Sequence, residues 1–367
     1  MNQTVHLVDS LALGGAQRIL KTYFESEKNN KNVHLLALRE VDDPVTLDHE
    51  NVKISKVRGK YSLRPLQDIL TLVKSHEITV VHCHLFRAQI FGFLIKIYAH
   101  RKCRLIFHEH GRVVGKEYES YLEHVFFRTF IFVSQRWVDH YICNSKFTKE
   151  CLIKLVSPRR AITIAHNPII KREEIPENER ALVRTKMALP ESKFVVGFAG
   201  RLIRTKGWDQ FLEAINIVAQ ERDIFFLIAG IGPDFDQVKS LINSLDLDEC
   251  GRMLGHVHNM TDYFNSLDCF VMPSLWESHG ISHLEAQAAR VPIIISDIQG
   301  LRNTVQPGKD SMLCSPGNSL SIAESIIKLE KSAELRSSLV LHGLTNVEKF
   351  SLSGYKKNIQ RAERESS

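Results

Sequence analysis

The chain has 367 residues, 44% hydrophobic and 25% charged, which is typical of a soluble globular protein with two domains. The net charge of +6 suits an anionic substrate or an anionic membrane surface. The sequence contains no run of five like charges, so binding to nucleic acid is not predicted. The seven cysteines include no CxxC pair, so we expect a reducing compartment and no disulfide framework. Neither a signal peptide nor a membrane span is predicted.

The first half of the chain alternates apolar runs with helical patterns. After a first strand at residues 5–8, a loop carries Gly14 and Gly15 and leads into a helix. The two glycines would let the backbone approach a ligand, or they would simply form a strand-to-helix turn; they are not a GxGxxG dinucleotide fingerprint. Further strands are predicted at residues 33–38, 78–81, 105–107, 141–143 and 161–164, and helices at residues 18–25, 63–76, 87–100 and 121–139 and from residue 146.

Two pairs of histidines follow neighbouring predicted strands. They are His82 with His84 and His108 with His110. Since side chains alternate along a strand, each pair lies on one face. A zinc site is conceivable, but the spacing lacks that of known zinc motifs. We expect one histidine to point into a ligand cleft and the others to pack or to form hydrogen bonds.

The second half of the chain repeats the alternation after a link. Residues 169–190 are charged, contain proline and predict a short helix within the link. A strand follows at residues 194–198, and Val257 is expected in a later strand-to-helix turn. The other predicted elements are a strand at 224–229, a strand at 311–314, helices at 208–219 and 234–245, a helical turn at 260–266, and helices at 319–332, 334–349 and 351–363.

Residues 269–300 predict one strand–loop–helix–strand unit. The loop carries Glu277, Glu285 lies near the start of the helix, and Pro292 ends the helix before the second strand. This order requires parallel strands and a right-handed crossover, which places the loop at the carboxyl ends of the strands, where ligands bind. Free backbone N–H groups at the helix start would bind an anion beside the two carboxylates. A nucleotide sugar has the matching phosphates and hydroxyls.

Other charged residues suggest how such a ligand could be held. Arg201 and Lys206 lie between a strand and a helix, where they could bind a diphosphate, although such pairs are often surface charges. Glu285 could accept hydrogen bonds from ribose hydroxyls and Glu277 could reach the middle of the cleft, or both acids could simply stabilise a helix start. Asp234-Phe235-Asp236 is a DxD sequence, but its position at a helix start favours a cap over a metal site.

Two basic, aromatic stretches, residues 91–104 and 121–136, could face an anionic membrane surface. Their apolar residues also suit packing on a sheet, and this interpretation is favoured.

Several short motifs occur in a fixed order along the whole chain. They are Gly14-Gly15, Val81-His82-x-His84, His110-Gly111, Asn144-Ser145 and Asn167, and then Gly200-Arg201-Leu202, Lys206-Gly207, Gly230-Ile231-Gly232-Pro233, Pro273-Ser274, Glu277-x7-Glu285-Ala286 and Gly300. Together these motifs resemble those of family 4 glycosyltransferases. The resemblance implies the α/β GT-B fold, in which two Rossmann-like domains with doubly wound parallel sheets face each other across a cleft.

The resemblance also implies residue roles. In a retaining transfer from a nucleotide-sugar donor, Arg201 and Lys206 would neutralise the departing diphosphate, Glu277 would contact the donor sugar, and His110 would lie near the reacting centre. These four residues are the predicted catalytic set. The predicted donor-binding set is Gly14, Gly15, Arg201, Lys206, Gly230, Val257, Glu277, Ser278, His279, Gly280, Ile281 and Glu285, with Glu285 on the ribose. No metal ligand and no cofactor are predicted.

The implied domains are an acceptor-side domain at residues 1–170, a linker at 171–190, a donor-binding domain at 191–348, and a helix at 349–367 that crosses back to the first domain. The expected donor is a UDP-sugar in preference to a GDP-sugar. The expected acceptor is a glycan or a lipid-linked glycan in cell-surface polysaccharide or lipopolysaccharide synthesis. The loops at residues 58–64 and 112–119 would select it. We expect a cytoplasmic enzyme, in peripheral contact with the inner face of the membrane.

Other functions also fit the sequence. A catalytically silent GT-B subunit would bind a nucleotide sugar, and a metal-dependent hydrolase would use the histidines. A GT-B epimerase or phosphorylase is a further alternative. Four positions depart from the family pattern: Ser278 and Pro168 stand where glycine is usual, Arg290 replaces the glycine before a valine, and Asn303 stands where an acid is common. None of these changes removes a charge from the expected centre, so they bear on the donor sugar more than on activity.

Overall fold

The computed structural model describes residues 2–12, 14–42, 44–59, 61–98, 103–111, 121–157, 159–170 and 174–365. The chain forms two compact units. The first comprises Met1–Pro168 and Leu352–Ser367, and the second comprises Ile169–Ser351. No helix in these described ranges is both long and apolar enough to cross a bilayer.

Each unit contains one parallel sheet. In the described part of the first unit, the seven strands have the order β3-β2-β1-β4-β5-β6-β7, and the six strands of the second have the order β10-β9-β8-β11-β12-β13. The strands are β1 Thr4–Val8, β2 Val33–Ala37, β3 Val52–Ile54, β4 Val80–His84, β5 Arg104–Glu109, β6 His140–Cys143, β7 Ile162–Ile164, β8 Phe194–Ala199, β9 Ile224–Ala229, β10 Gly251–Gly255, β11 Cys269–Met272, β12 Ile293–Ser296 and β13 Met312–Cys314. Both orders reverse direction beside the first strand of their sheet, as in doubly wound folds.

Helices connect the strands. They are α1 Gly15–Ser26, α2 Pro65–Ser75, α3 Leu85–Tyr98, α4 Tyr121–Ser134, α5 Lys146–Leu152, α6 Glu177–Lys186, α7 Trp208–Ala219, α8 Phe235–Ser244, α9 Met260–Asn265, α10 Ser282–Ala288, α11 Gln299–Arg302, α12 Ser319–Lys331, α13 Ala333–Val347 and α14 Leu352–Glu365. Local sequence explains several starts: Pro65 occupies the first turn of α2, and the Ser145 side chain accepts the backbone N–H of Thr148 at the start of α5.

The two faces of the first sheet differ in chemistry. One face is apolar: side chains such as Leu7 and Phe107 pack against residues of the covering helices, including Phe91 of α3 and Phe127 of α4. Because side chains alternate along each strand, the intervening residues lie on the opposite face. That opposite face carries the buried histidines.

Helix α14 packs within the first unit although it follows the second unit in sequence. Its residues Tyr355, Ile359 and Ala362 are buried. The Tyr355 ring meets the edge of Tyr23 at 6.0 Å, and the Glu363 carboxylate binds His82 Nε2 at 3.1 Å. This helix therefore covers part of the histidine-bearing face.

The segment predicted as a link contains α6, and α6 belongs to the second unit. Arg180 and Arg184 each donate a hydrogen bond to Asp268, at 2.7 and 2.5 Å, and Asp268 also accepts the backbone N–H of Val195 at 2.8 Å. Asp268 thus joins α6 to the start of two central strands.

Candidate active site

The loops at the carboxyl ends of β8 and β11 are in direct contact. Gly207 has φ +69, and a Cβ atom there would lie 2.1 Å from the carbonyl oxygen of Pro273. The backbone N–H of Leu275 donates to the carbonyl of Thr205 at 2.8 Å. Only glycine fits this approach, so the sequence Lys206-Gly207 fixes one loop against the other.

This contact brings two predicted catalytic residues together. The Lys206 ammonium forms an ion pair with the Glu277 carboxylate. The side chain of Glu277 is 9% exposed and that of Lys206 is 23% exposed, so water screens the pair only partly. A lysine held by a carboxylate at this edge of the sheet has its charge in place before an anionic ligand arrives.

The loop after β9 also reaches this edge of the second sheet, where it meets the β8 loop. Gly230 has φ +158, and a Cβ atom there would lie 1.9 Å from the carbonyl oxygen of Gly200. Arg201 follows directly and is exposed. Asp234 accepts a hydrogen bond from Trp208 Nε1 at 3.0 Å. The side chain of this first acid of the DxD sequence therefore bonds to the start of α7, and it does not cap α8 as predicted.

Five of the remaining predicted donor-binding residues, Ser278, His279, Gly280, Ile281 and Glu285, lie just before or in the first turn of α10. Ser278 and His279 are buried, and His279 Nδ1 lies 2.6 Å from the Gly280 carbonyl oxygen. Ile281 and Glu285 are partly buried, with Glu285 in the first turn of the helix. After β10, Val257 is partly buried and packs against the apolar core of the unit.

The other three predicted site residues lie in the first unit. Gly14 precedes α1 in extended backbone, and its carbonyl accepts the N–H of Arg18 at 3.0 Å. Gly15 is the first residue of α1. His110 follows β5 and is partly buried. Residues 112–119, which were expected to influence the acceptor, lie outside the described residues.

His110 belongs to a cluster of five histidines. His6 of β1 joins the four that the sequence singled out, because β1 pairs with β4 in the register His6 to His82 and β4 pairs with β5 in the register His84 to His108. His6 Nδ1 lies 2.9 Å from His84 Nε2, His84 Nδ1 lies 3.2 Å from His110 Nε2, and His82 Nδ1 lies 2.9 Å from His108 Nε2. A single histidine in β1 gives no motif, so only the strand order identifies His6 as a member.

Four imidazoles of this cluster have lowered pKa values, which favours their neutral forms. Burial lowers the pKa of His110 to about 4. Burial and then the neighbouring histidines lower the pKa values of His6, His84 and His108 well below the ordinary value. The cause is the cost of placing a cation away from water.

One nitrogen from each of His84, His108 and His110 falls within a 4.8 Å group, which is close enough for one metal ion to contact all three. However, ring nitrogens of these residues form hydrogen bonds to other histidines. An ion would have to replace those bonds, so the arrangement favours a hydrogen-bonded cluster.

Comparison with known proteins identifies the family. The model for glycosyl transferases group 1 matches residues 179–343, and the model for glycosyltransferase family 4 matches residues 24–171. The chain is a family 4-type glycosyltransferase. The expected family is confirmed, and the two matches together extend over most of both units.

This glycosyltransferase is similar in sequence to several named bacterial enzymes. The chain is 26% identical over 50% of its length to an N-acetyl-alpha-D-glucosaminyl L-malate synthase of Bacillus anthracis, and 26% identical over 62% to the capsular polysaccharide glycosyltransferase CapM of Staphylococcus aureus. These matches span 48% and 59% of the relatives' lengths. The chain is also 23% identical to an Escherichia coli UDP-Gal:alpha-D-GlcNAc-diphosphoundecaprenol alpha-1,3-galactosyltransferase. This match covers 86% of the chain and 85% of the relative's length.

Solved structures confirm the predicted GT-B fold of the glycosyltransferase. The HepE protein of Anabaena, crystallised with UDP and glucose, matches with a TM-score of 0.85 and 16% identity over 99% of this chain and 100% of its own. The lipopolysaccharide outer core galactosyltransferase WaaB matches with a TM-score of 0.73 and 16% identity over both full chains.

Proposed function

We propose that this glycosyltransferase moves a sugar from a UDP-sugar, in preference to a GDP-sugar, to a glycan or lipid-linked acceptor with retention of configuration at the transferred carbon. The Lys206–Glu277 ion pair at the carboxyl edge of the second sheet carries the proposal. It places a cation for a diphosphate beside an acid for sugar hydroxyls. The HepE structure with UDP and glucose supports the choice of donor.

The main work of the site is electrostatic. As the bond to the donor sugar breaks, negative charge develops on the departing diphosphate. Lys206 is already oriented by Glu277, and the exposed Arg201 can turn toward the same phosphates. Fixed cations stabilise the developing charge more than the ground state, which lowers the barrier. The two side chains supply the positive charge that the reaction needs, and we propose that it proceeds without a metal ion.

The two glutamates would address the uncharged parts of the donor. Glu277 lies on the loop that contacts Lys206, so its second carboxylate oxygen can accept from a sugar hydroxyl next to the diphosphate. Glu285, eight residues later in α10, would accept hydrogen bonds from the ribose. In the first unit, Gly14 and Gly15 would let backbone approach the ligands, and His110 would bind near the reacting centre.

We propose a role in cell-surface glycan synthesis, at the cytoplasmic side of the membrane. The names of the CapM and E. coli relatives specify a capsular polysaccharide and a diphosphoundecaprenol-linked acceptor. We propose that α4 contacts the membrane that carries such an acceptor, because Phe126 is 59% and Phe132 is 67% exposed on this helix. Between residues 125 and 138 the only charged residues are Arg128 and Arg136. Exposed aromatic rings beside arginines suit the interface of an anionic bilayer.

Sedimentation with vesicles tests this contact. We expect the protein to bind vesicles that contain phosphatidylglycerol more strongly than neutral vesicles, and the double variant Phe126→Ser, Phe132→Ser to lose most of the binding. Leu341→Ser is the matched control, because Leu341 is 65% exposed on α13 of the other unit. Equal binding of wild type and double variant would rule out α4 as the contact.

Donor binding is tested with a panel of nucleotide sugars, by thermal shift and by slow donor hydrolysis. A donor at 100 times its Kd stabilises the native state by about 2.7 kcal/mol. We expect a UDP-sugar to do so, Lys206→Ala to abolish most of the shift, and Lys328→Ala, an exposed lysine on α12, to retain it. If no nucleotide sugar stabilises the protein, the proposed function is wrong. If chelation removes activity, or if zinc is present in stoichiometric amount, the metal-free mechanism is wrong.

A further inference from the structure

Two arginines and one aspartate form a group at the carboxyl edge of the first sheet. Asp9 follows β1, Arg39 lies just after β2, and Arg87 belongs to the first turn of α3, which follows β4. In the sheet, β1 lies between β2 and β4, and all three strands are parallel. The strand order reverses at β1. Open parallel sheets bind ligands at the carboxyl ends of their strands beside such a reversal.

Asp9 holds both guanidinium groups of this cluster. Its Oδ2 accepts from Arg39 Nε at 3.0 Å, and its Oδ1 accepts from Arg87 Nη1 at 3.0 Å. The side chains of Arg39, Arg87 and Asp9 are 25%, 13% and 19% exposed, so water only partly solvates the three charges. Among the described residues, Asp9 is the only carboxylate that pairs with either arginine. Because a guanidinium has five N–H groups, both arginines retain donors and one excess positive charge for a second anion.

The loop beside Arg87 presents large apolar side chains to solvent. This is the loop that the sequence predicts to select the acceptor, and its Ser62 carbonyl accepts from Arg87 Nη2 at 3.2 Å. On either side of Ser62, Tyr61 is 92% exposed and Leu63 is 67% exposed. Exposed apolar side chains next to fixed cations suit a ligand with an anionic head and an apolar chain.

The same end of α3 adjoins the surface on α4 that we expect to contact the membrane. Phe86, the residue before Arg87, meets the edge of Phe126 with the ring centroids 5.8 Å apart. Phe126 is one of the two exposed rings of that surface. A phosphate group at the surface of the bilayer would therefore lie close to Arg87.

We propose that Arg39 and Arg87 bind the phosphate or diphosphate of a lipid-linked acceptor, and that Tyr61 and Leu63 contact the adjoining part of its lipid chain. Asp9 is a positioning residue that keeps both guanidinium groups at the edge of the sheet. The phosphate supplies the negative charge that the two arginines lack, whereas an uncharged glycan would not. This assignment names the acceptor class of the proposed sugar transfer, so it rests on that function.

Calorimetric titration of the full protein with farnesyl diphosphate tests the site. The protein is first saturated with UDP, so that the diphosphate of the probe cannot occupy the donor site. We expect farnesyl diphosphate to bind about 10-fold more tightly than inorganic pyrophosphate, because only farnesyl diphosphate has an apolar chain. Arg39→Gln and Arg87→Gln should each weaken the binding of both probes by about 10-fold, the loss of one charge-assisted hydrogen bond.

Two further variants separate ligand binding from a structural role. Arg160→Gln is the matched control and should leave binding unchanged. Arg160 is also partly buried in the first unit, but it donates to the carbonyl of Val138, before β6, at the opposite edge of the sheet. The double variant Tyr61→Ser, Leu63→Ser changes only exposed side chains and should keep the fold. We expect it to bind farnesyl diphosphate no more tightly than pyrophosphate.

Three results would overturn the proposal. They are equal affinities of the wild type for the two probes, unchanged binding in both arginine variants, and failure of both probes to bind. None of these results would affect the proposed donor site, which UDP binding and donor hydrolysis report separately. If UDP itself fails to bind, the proposed function is wrong, whereas binding of farnesyl diphosphate that depends on Arg39 and Arg87 would still establish the phosphate site.

Discussion

Replacing Glu277 with glutamine should strengthen the binding of UDP and slow sugar transfer. In the free protein, Glu277 holds the ammonium group of Lys206 in an ion pair. A diphosphate that approaches Lys206 must compete with this carboxylate. Glutamine is nearly the same size but carries no charge, so Glu277→Gln frees the lysine and removes a negative charge from the diphosphate site.

The burial of the pair sets the size of the effect. With side-chain exposures of 9% and 23%, the pair lies between an exposed and a fully buried one. Such a pair contributes about 1 kcal/mol, near the upper end for surface pairs. Releasing Lys206 should therefore tighten UDP binding by about 5-fold. Transfer should slow by about 100-fold, since one hydrogen-bond acceptor for the reacting sugar is weakened.

Calorimetric titration with UDP and a steady-state transfer assay measure the two effects separately. The matched control is Glu324→Gln, an exposed glutamate on α12, which should leave both unchanged. Weaker binding of UDP to Glu277→Gln would refute the idea that the carboxylate competes for Lys206. Unchanged transfer would refute its proposed contact with the donor sugar.

Three predictions concern stability, each measured by urea unfolding. Burial lowers the pKa of His283 to about 3, so the unfolded state binds the proton first as the pH falls below 6.5. From pH 8 to pH 5 the free energy of unfolding should fall by about 2 kcal/mol because of this site. The variant His283→Leu should lack that part of the pH dependence. Gly207→Ala should lower the free energy of unfolding more than Gly308→Ala does, because Gly308 also has a positive φ but faces open space. We expect the control Gly308→Ala to lower it by about 1 kcal/mol. Equal losses in the two variants would contradict the close approach of the two loops. Asp268→Asn should cost about 2 kcal/mol, because two arginines lose their charged partner, and a change below 0.5 kcal/mol would show that α6 is held by other contacts.

Much of the fold follows from periodicity, because buried parallel strands are continuous apolar runs that alternate with amphipathic helices. The two strands that were missed show the limit of this rule. β3, with the sequence Val-Lys-Ile, and β10, which begins and ends with glycine, lie at the edges of their sheets and are largely not buried. An edge strand has fewer neighbours to demand apolar side chains, so its sequence carries a weaker signal.

The candidate site was predictable in its residue types but not in its contacts. The ion pair of Lys206 and Glu277 joins residues 71 positions apart, and no periodicity reports such a contact. The ion pair depends on Gly207, whose positive φ lets its loop lie against the loop that follows β11. His6 was missed for the same reason, since its relation to His84 follows only from which strand lies beside β1.

Helix α14 has a consequence for the order of folding during synthesis. The second unit is a continuous stretch of chain, so it can fold as soon as residue 351 has left the ribosome. The first unit is synthesised earlier, yet Glu363, which binds the buried His82, and Tyr355, which packs against Tyr23, follow the second unit in the chain. Until then, that polar face lacks part of its cover. The unit whose strands emerge first therefore completes its core last.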